Sequence, residues 1–314
     1  MRAAALLLAL AAACDRGPFT QPLTLGGRTY SAAELDRGFH LYRQGCRPCH
    51  GDLGDGHGAS APGLWPPPRD LTQAIYKFAR VPAPGLPPDR ELARVLRGGL
   101  AGTGMLAWTM PDDDLDALLG YVKSLAPRWR TEAPGEAVVA PVDPIEALAE
   151  DARRAVRERG AVLYHGKAMC SSCHPAYVDR PRLYEIAQAM GLPTGAYTPE
   201  LYGTRVKDSE LCWHWRAAPG GDCTEPVRTI PPDFLHDPLR AVDLAQARRE
   251  LFATLAAGIP GAGMPPWRGA LADDELWALA EYVRSLVALR GTAAADDLRA
   301  HLRSDENVGW QAPR

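Results

Sequence analysis

Two stretches far apart in the chain carry the same apolar pattern. Leu115, Leu118, Val122 and Leu125 recur at intervals of 3, 4 and 3, and Leu276, Leu279, Val283 and Leu286 repeat those intervals. That spacing puts one apolar stripe on a helix, so two amphipathic helices are predicted, each buried along one face. Acidic residues open both, at Asp112 to Asp114 and at Asp273 to Glu275, where the helix dipole favours carboxylates. The segments Tyr121-Val122-Lys123-Ser124-Leu125 and Tyr282-Val283-Arg284-Ser285-Leu286 agree almost residue for residue.

The agreement extends upstream. Arg37-Gly38-Phe39-His40-Leu41-Tyr42 has a counterpart in Arg159-Gly160-Ala161-Val162-Leu163-Tyr164. Gly99-Leu100-Ala101-Gly102-Thr103-Gly104-Met105, followed by Trp108, pairs with Gly258-Ile259-Pro260-Gly261-Ala262-Gly263-Met264, followed by Trp267. The chain is a tandem duplication. Loops rich in glycine and proline separate the helical patterns, and no run of alternating strand residues stands out. The expected class is all-α, in two tandem domains at residues 31–130 and 145–290. Between them, residues 131–144 hold Pro134, Pro141 and Pro144 and read as a linker. Residues 291–314 read as a polar tail with little order.

With 314 residues the chain has room for two ordinary domains. An apolar fraction of 46% and a charged fraction of 23% describe a globular protein, and a net charge of −3 leaves no basic footprint for nucleic acid. Met1-Arg2 and the apolar run Ala3 to Ala13 read as an export signal over residues 1–13, too short to span a bilayer. Leu10-Ala11-Ala12-Ala13-Cys14 resembles a bacterial lipobox, with alanine where leucine is usual. Cys14 is then the lipidated first residue of a tether over 14–30, or the spare thiol behind an ordinary signal. The first reading is adopted. It puts the protein on the periplasmic side of a membrane, held there by a lipid anchor alone.

The sharpest chemical signal is the pentapeptide C-x-x-C-H, present as Cys46-Arg47-Pro48-Cys49-His50 and as Cys170-Ser171-Ser172-Cys173-His174. This is the attachment pattern of haem c: two thiols add to the porphyrin vinyl groups and the adjacent histidine ligates iron. The spacing brings two sulfurs and one imidazole to a porphyrin edge within a single turn. A zinc reading needs further ligands at finger spacing. The expected cofactors are two covalently bound haems, on Cys46 and Cys49 and on Cys170 and Cys173, with His50 and His174 as axial ligands. Haem c assembly takes place outside the bacterial cytoplasmic membrane, in agreement with the export signal. Of the seven cysteines, Cys212 and Cys223 remain, and an oxidising compartment makes them a disulfide candidate.

With these landmarks each half resembles a class I bacterial cytochrome c domain. The first half carries further motifs of that family in Cys49-His50-Gly51-Asp52, Gly54-Asp55-Gly56, Pro68-Arg69-Asp70-Leu71, Tyr76-Lys77-Phe78 and Gly102-Thr103-Gly104-Met105. The resemblance implies a small helical shell around each haem, with crossing terminal helices. It also implies Met105 and Met264 as the distal iron ligands. They lie 55 and 90 residues after His50 and His174, so the second half carries an insertion of 35 residues, at about 176–231. Met-Pro, usual in the family, is kept at Met264-Pro265 and lost at Met105-Leu106. Met110-Pro111 offers an alternative, but the glycines before Met105 and the tryptophan three residues after it match Met264, so Met110 is read as a packing residue.

Other residues receive plainer readings. His57 is taken as a solvated loop residue, and His40 and His165 as helix-surface residues. Arg153, Arg154, Arg157 and Arg159 read as a solvated helix face, with a partner patch as the other possibility. Trp213-His214-Trp215 in the insertion either packs on the second haem or docks a partner, with plain packing preferred.

The expected function is transfer of single electrons in a respiratory chain, with no catalytic residue, between periplasmic or membrane-bound redox partners such as a membrane oxidase, a reductase or a quinol-oxidising complex. Two alternatives stand beside it: a di-haem enzyme of the peroxidase or sulfur-compound dehydrogenase type, and an obligate cytochrome subunit of an oxidase or reductase.

Overall fold

A computed structural model describes residues 17–193, 201–203, 207–212 and 226–311, with strand residues 207–212 and 226–227 described by backbone alone. The signal at 1–13, Cys14, Trp213 to Trp215 and Cys223 lie outside the described residues, so neither lipidation nor the Cys212–Cys223 bridge has a structural account. The chain divides into two compact units, one ending at Ala137 and the other beginning at Val138. The break falls within the stretch assigned to the linker. That stretch lies along the units: Gly135 N donates to Leu86 O at 2.8 Å in the first, and Val138 and Ala140 enter the core of the second.

The first unit opens with a hairpin, β1 (Leu23–Leu25) and β2 (Arg28–Tyr30), paired antiparallel around Gly26-Gly27. Helix α1 (Ala32–Gly45) starts at a capping box, in which Ser31 Oγ accepts from Glu34 N at 3.2 Å and Glu34 Oε2 accepts from Ser31 N at 2.7 Å. After the short α2 (Arg47–His50) and a long loop come α3 (Asp89–Gly98) and α4 (Asp112–Ser124). Tyr30, Leu35, Leu115, Leu119 and Trp129 fill the core.

The second unit repeats this plan with α5 (Glu150–His165), α7 (Ala247–Ala257) and α8 (Asp273–Ala288) in the places of α1, α3 and α4. Between α5 and α7 lie α6 (Arg180–Ala189) and the antiparallel strands β3 (Lys207–Cys212) and β4 (Pro226–Thr229). The architecture is mainly helical, as expected, but the two antiparallel strand pairs were not. The strands of the first are three residues each, too short for alternation to register; Gly26-Gly27 was the available signal.

The two stripes expected from the sequence face their cores, with Leu276, Leu279, Val283 and Leu286 all buried. They meet the first helix of their unit at a glycine. A Cβ on Gly38 would lie 2.0 Å from Ala117 O, and one on Gly160 would lie 2.2 Å from Ala278 O. Only hydrogen fits there, so the paired helices touch backbone to backbone.

Charges are buried beside these helices. Lys123, fully buried, donates to Tyr30 OH at 3.1 Å and to Asp89 Oδ1. Burial pushes its ammonium below the ordinary lysine pKa, against the opposing pull of Asp89. In the second unit the buried Glu281 accepts from Arg284 Nε at 2.7 Å and from Arg248 Nη1 at 3.3 Å. Burial alone would raise that carboxyl, yet the two guanidiniums hold it below the carboxylate range. Removing either partner of such a pair leaves a buried charge uncompensated.

The expectation of a little-ordered tail is corrected. Residues after 290 form α9 (Ala293–Leu302) and α10 (Asp305–Gly309), with Ala295 and Leu302 in the second core. Asn307 accepts from Arg180 N at 2.9 Å and donates to Leu302 O at 2.8 Å, tying the tail to α6. The polar composition had hidden two short amphipathic helices.

The glycine crossings yield a prediction with a definite sign. On helix propensity alone, glycine to alanine inside a helix stabilises by about 0.5–1 kcal/mol. Gly38→Ala and Gly160→Ala should instead destabilise their own unit by about 1–3 kcal/mol, the range for overpacking a tight contact. Urea unfolding of the holoprotein followed by circular dichroism measures this; a raised midpoint in either variant would contradict the crossing.

Candidate functional site

Each C-x-x-C-H segment is wound into one turn. Cys49 N donates to Cys46 O at 3.2 Å and His50 N to the same carbonyl at 2.9 Å; Cys173 N and His174 N donate to Cys170 O at 3.1 and 2.9 Å. In the first unit the turn follows α1 directly. In the second, Gly166 to Met169 intervene, Met169 takes a left-handed backbone (φ 48°), and the turn is of the 3-10 type. None of the four sulfurs is spent on a disulfide. Burial, with a smaller contribution from the neighbouring thiol, pushes Cys46 up to about 11 and Cys170 up to about 12.

The two histidines are held alike. His50 Nδ1 lies 2.9 Å from Arg69 O, and His174 Nδ1 lies 3.0 Å from Pro232 O. A carbonyl can only accept, so Nδ1 carries the proton in both rings and Nε2 keeps its lone pair. A carbonyl on one ring nitrogen is how a protein fixes the tautomer and orientation of a metal-binding imidazole. Burial pushes both rings below the ordinary imidazole pKa, against the weaker opposing effect of the hydrogen bond. Neutral rings with a defined Nε2 fit a haem iron, and cysteines three apart in the same turn fit its vinyl groups. Among the described residues, no group of three or more His, Cys, Asp or Glu is arranged to hold a metal ion.

The two methionine loops share a set of backbone hydrogen bonds. Leu100 N donates to Met105 O at 2.9 Å, and Ile259 N to Met264 O at 3.0 Å. Thr103 N donates to Leu100 O and Ala262 N to Ile259 O, both at 3.1 Å. Trp108 N reaches Leu96 O at 2.9 Å, as Trp267 N reaches Leu255 O at 3.0 Å. Each loop leaves its helix through a glycine with positive φ, 63° at Gly99 and 69° at Gly258. A Cβ there would stand 2.6 Å from the returning backbone, at Ala107 N and at Pro265 C. Met110 has no place in this pattern; it packs against the apolar core of its unit.

The loops are tied to the haem-motif turns. In the first unit Ser60 N donates to Pro48 O at 2.7 Å and Gly58 N to Cys49 O at 3.0 Å, and Leu64, four residues on, lies against Gly104. The Trp108 ring lies over Gly45, beside Cys46. In the second, Cys170, Met264 and Trp267 pack against one core.

Other expected residues fall differently. His165 is not on the helix surface: it is buried, its Nδ1 donating to Ala161 O at 2.8 Å and its Nε2 accepting from Tyr177 N at 3.2 Å. Both nitrogens are committed to backbone, so it is a structural residue, and burial pushes it down to about 4. Arg153, Arg154, Arg157 and Arg159 are each paired with an acidic side chain, Glu150, Asp151, Glu150 and Asp274, so the run is not an open cationic patch. His57 stands beside Asp55 at 3.5 Å. What the sequence reasoning missed is the pair of carbonyls at Arg69 and Pro232, whose place is set by the loop path and by no side-chain signal.

The family model described as cytochrome C oxidase, cbb3-type, subunit III matches this chain twice, at residues 33–122 and 155–283. Among solved structures, a chain of the reducing HAO-like protein complex of Kuenenia stuttgartiensis is similar, with a TM-score of 0.60 and 22% identity over 80% of this chain and 96% of that one. At that identity the likeness is one of fold.

The burial of His165 makes the second unit sensitive to acid. An unfolded histidine titrates near ~6.5; folded, His165 stays neutral until about 4. Below the unfolded value the unfolded chain therefore binds a proton that the folded one does not. The stability contribution is complete above that value and is lost as pH falls toward the folded one. Denaturant unfolding of the holoprotein across this window should show a decline that His165→Gln flattens. An equal decline in parent and variant would contradict the assignment.

Proposed function

The chain belongs to the family described as cytochrome C oxidase, cbb3-type, subunit III, and from that premise we propose that it passes single electrons between redox proteins through two haems c, one in each half. It is a c-type cytochrome with an electron-transfer role; the haem count, the ligands, the partners and the membrane tether belong to this proposal. Haem iron with two strong axial ligands supplies reversible one-electron transfer. Cys46 and Cys49 would hold the first group, and Cys170 and Cys173 the second. His50 and His174 offer Nε2, because Nδ1 is spent on a carbonyl. Met105 and Met264 offer thioether sulfur, which raises a haem's potential relative to nitrogen ligation.

The observation that carries this reading is the shared backbone hydrogen bonding of the two methionine loops, around Leu100–Met105 and Ile259–Met264. A methionine for each iron fills the position that a peroxidase or a sulfur-compound dehydrogenase keeps open. The family description and the complex named for the structural relative favour a second reading that uses the same residues. In it the protein is a fixed cytochrome subunit of an oxidase or reductase assembly. We assign the protein to the periplasmic side of a membrane, anchored through a lipid on Cys14. Among the described residues no helix is long and apolar enough to cross a bilayer. The mass of the mature N-terminus tests the anchor: an acylated Cys14 is expected, and an unmodified one would remove it.

Two measurements test the rest. A pyridine haemochrome assay should give two haems per chain that resist acid-acetone extraction, and the ferrous protein should bind no carbon monoxide. One haem, or a carbonyl adduct at either iron, would displace the carrier reading. Met105→Ala should abolish the weak sulfur-to-iron band of the first ferric haem and lower its potential, while Met110→Ala should leave both as they are. The reverse outcome would move the ligand to Met110.

A further inference from the structure

The two histidine-binding carbonyls are reached by paths of very different length, 19 residues from His50 to Arg69 and 58 from His174 to Pro232. The extra length is the second-half insertion. It supplies two buried tyrosines, Tyr177 and Tyr202, whose hydroxyls both donate to the residue after Pro232: Tyr177 OH to Asp233 Oδ1 at 3.1 Å, and Tyr202 OH to Asp233 Oδ2. The Tyr177 oxygen also accepts from Phe234 N at 2.8 Å. Asp233 Oδ1 further accepts from Leu235 N at 3.0 Å, and Asp233 N donates to Asp237 Oδ2 at 2.8 Å. The Phe234 ring stacks on His174, 4.8 Å between centroids and 21° between planes. At the corresponding place in the first half, Asp70 caps its own turn, accepting from Thr72 N at 2.9 Å and Gln73 Nε2 at 2.8 Å.

We propose that Tyr177, Asp233 and Tyr202 form a positioning unit that fixes the Pro232 carbonyl and the Phe234 ring on His174, and so sets the potential of the second haem apart from that of the first. This rests on the haem reading above. A carbonyl that accepts firmly from Nδ1–H makes the imidazole a stronger donor through Nε2, and a stronger donor favours ferric iron. Two phenol donors from the insertion and the committed Phe234 amide leave the 232–235 segment one place to be. The insertion thus reaches His174 through one backbone oxygen and one stacked ring; it also touches the methionine loop, where Thr229 Oγ1 donates to Ala262 O at 3.1 Å. Tyr202 also meets the C-terminal segment, since Arg299 of α9 and Arg303 just after it lie over its ring at 5.8 and 5.1 Å.

Tyr177→Phe tests this in the full holoprotein, because it removes one hydroxyl while keeping the ring and the Asp233 charge. Potentiometric titration, with the haems assigned through Met105→Ala, should show the second haem's potential raised and the first unmoved. Exchange of the His174 Nδ1 proton with solvent, read by NMR of the hyperfine-shifted resonance, should speed up on the order of tenfold, as loss of one neutral hydrogen bond implies. Tyr202→Phe should move both readouts the same way by less, and it decides the matter if Tyr177→Phe fails to retain both haems. A second-haem potential unchanged in the deciding variant, or both haems shifted equally, overturns the proposal. A parent protein with fewer than two haems would overturn the functional reading beneath it.

Discussion

The constraint on which each half depends is the contact of two helix backbones at a glycine. At Gly38 and at Gly160 the first helix of the unit lies so close to the last of the three helices the two halves share that a methyl group would overlap the carbonyl of Ala117 or Ala278. That approach fixes where the first helix ends, and the haem-motif turn begins within a few residues of that end. It also fixes the last helix, from whose start the methionine loop runs back to Gly99 or Gly258. One small residue therefore sets the separation between the histidine and methionine sides of each unit.

Much of this was legible in the sequence, because the chain states it twice. The apolar stripes, the glycines before each methionine and the C-x-x-C-H turns needed only comparison of one half with the other. Met105 stood apart from Met110 by its neighbours, and the hydrogen bonds of the two loops follow the same division. The less legible features are those where one side chain's environment comes from distant segments. Lys123 and Arg284 occupy matching places, yet one is buried against Asp89 and the other pairs with Glu281. His165 reads as a surface residue from its helical position, and is buried because Tyr177, twelve residues on, folds back to it. The tail helices were hidden by polar composition, although Ala295 and Leu302 have the spacing of one helical face.

The second half is more than a copy. Its histidine carbonyl is delivered by the insertion, its haem-motif turn is separated from α5 by a strained link at Met169, and its C-terminal helices are docked onto α6. The first two change the surroundings of His174, and the insertion also reaches the methionine loop, where Thr229 Oγ1 donates to Ala262 O at 3.1 Å. Duplication followed by such changes would let two irons with the same kind of ligands hold different potentials, as an ordered transfer of electrons requires.

The central claim is that both halves present the same imidazole and thioether pair to iron. Near-infrared magnetic circular dichroism of the fully oxidised holoprotein reads this most directly, because the energy of the porphyrin-to-iron transition reports the axial pair of each low-spin haem. The account predicts one transition type, that of histidine with methionine, at an intensity equal to two haems per chain. A bis-imidazole transition, or a high-spin contribution from either haem, would contradict it.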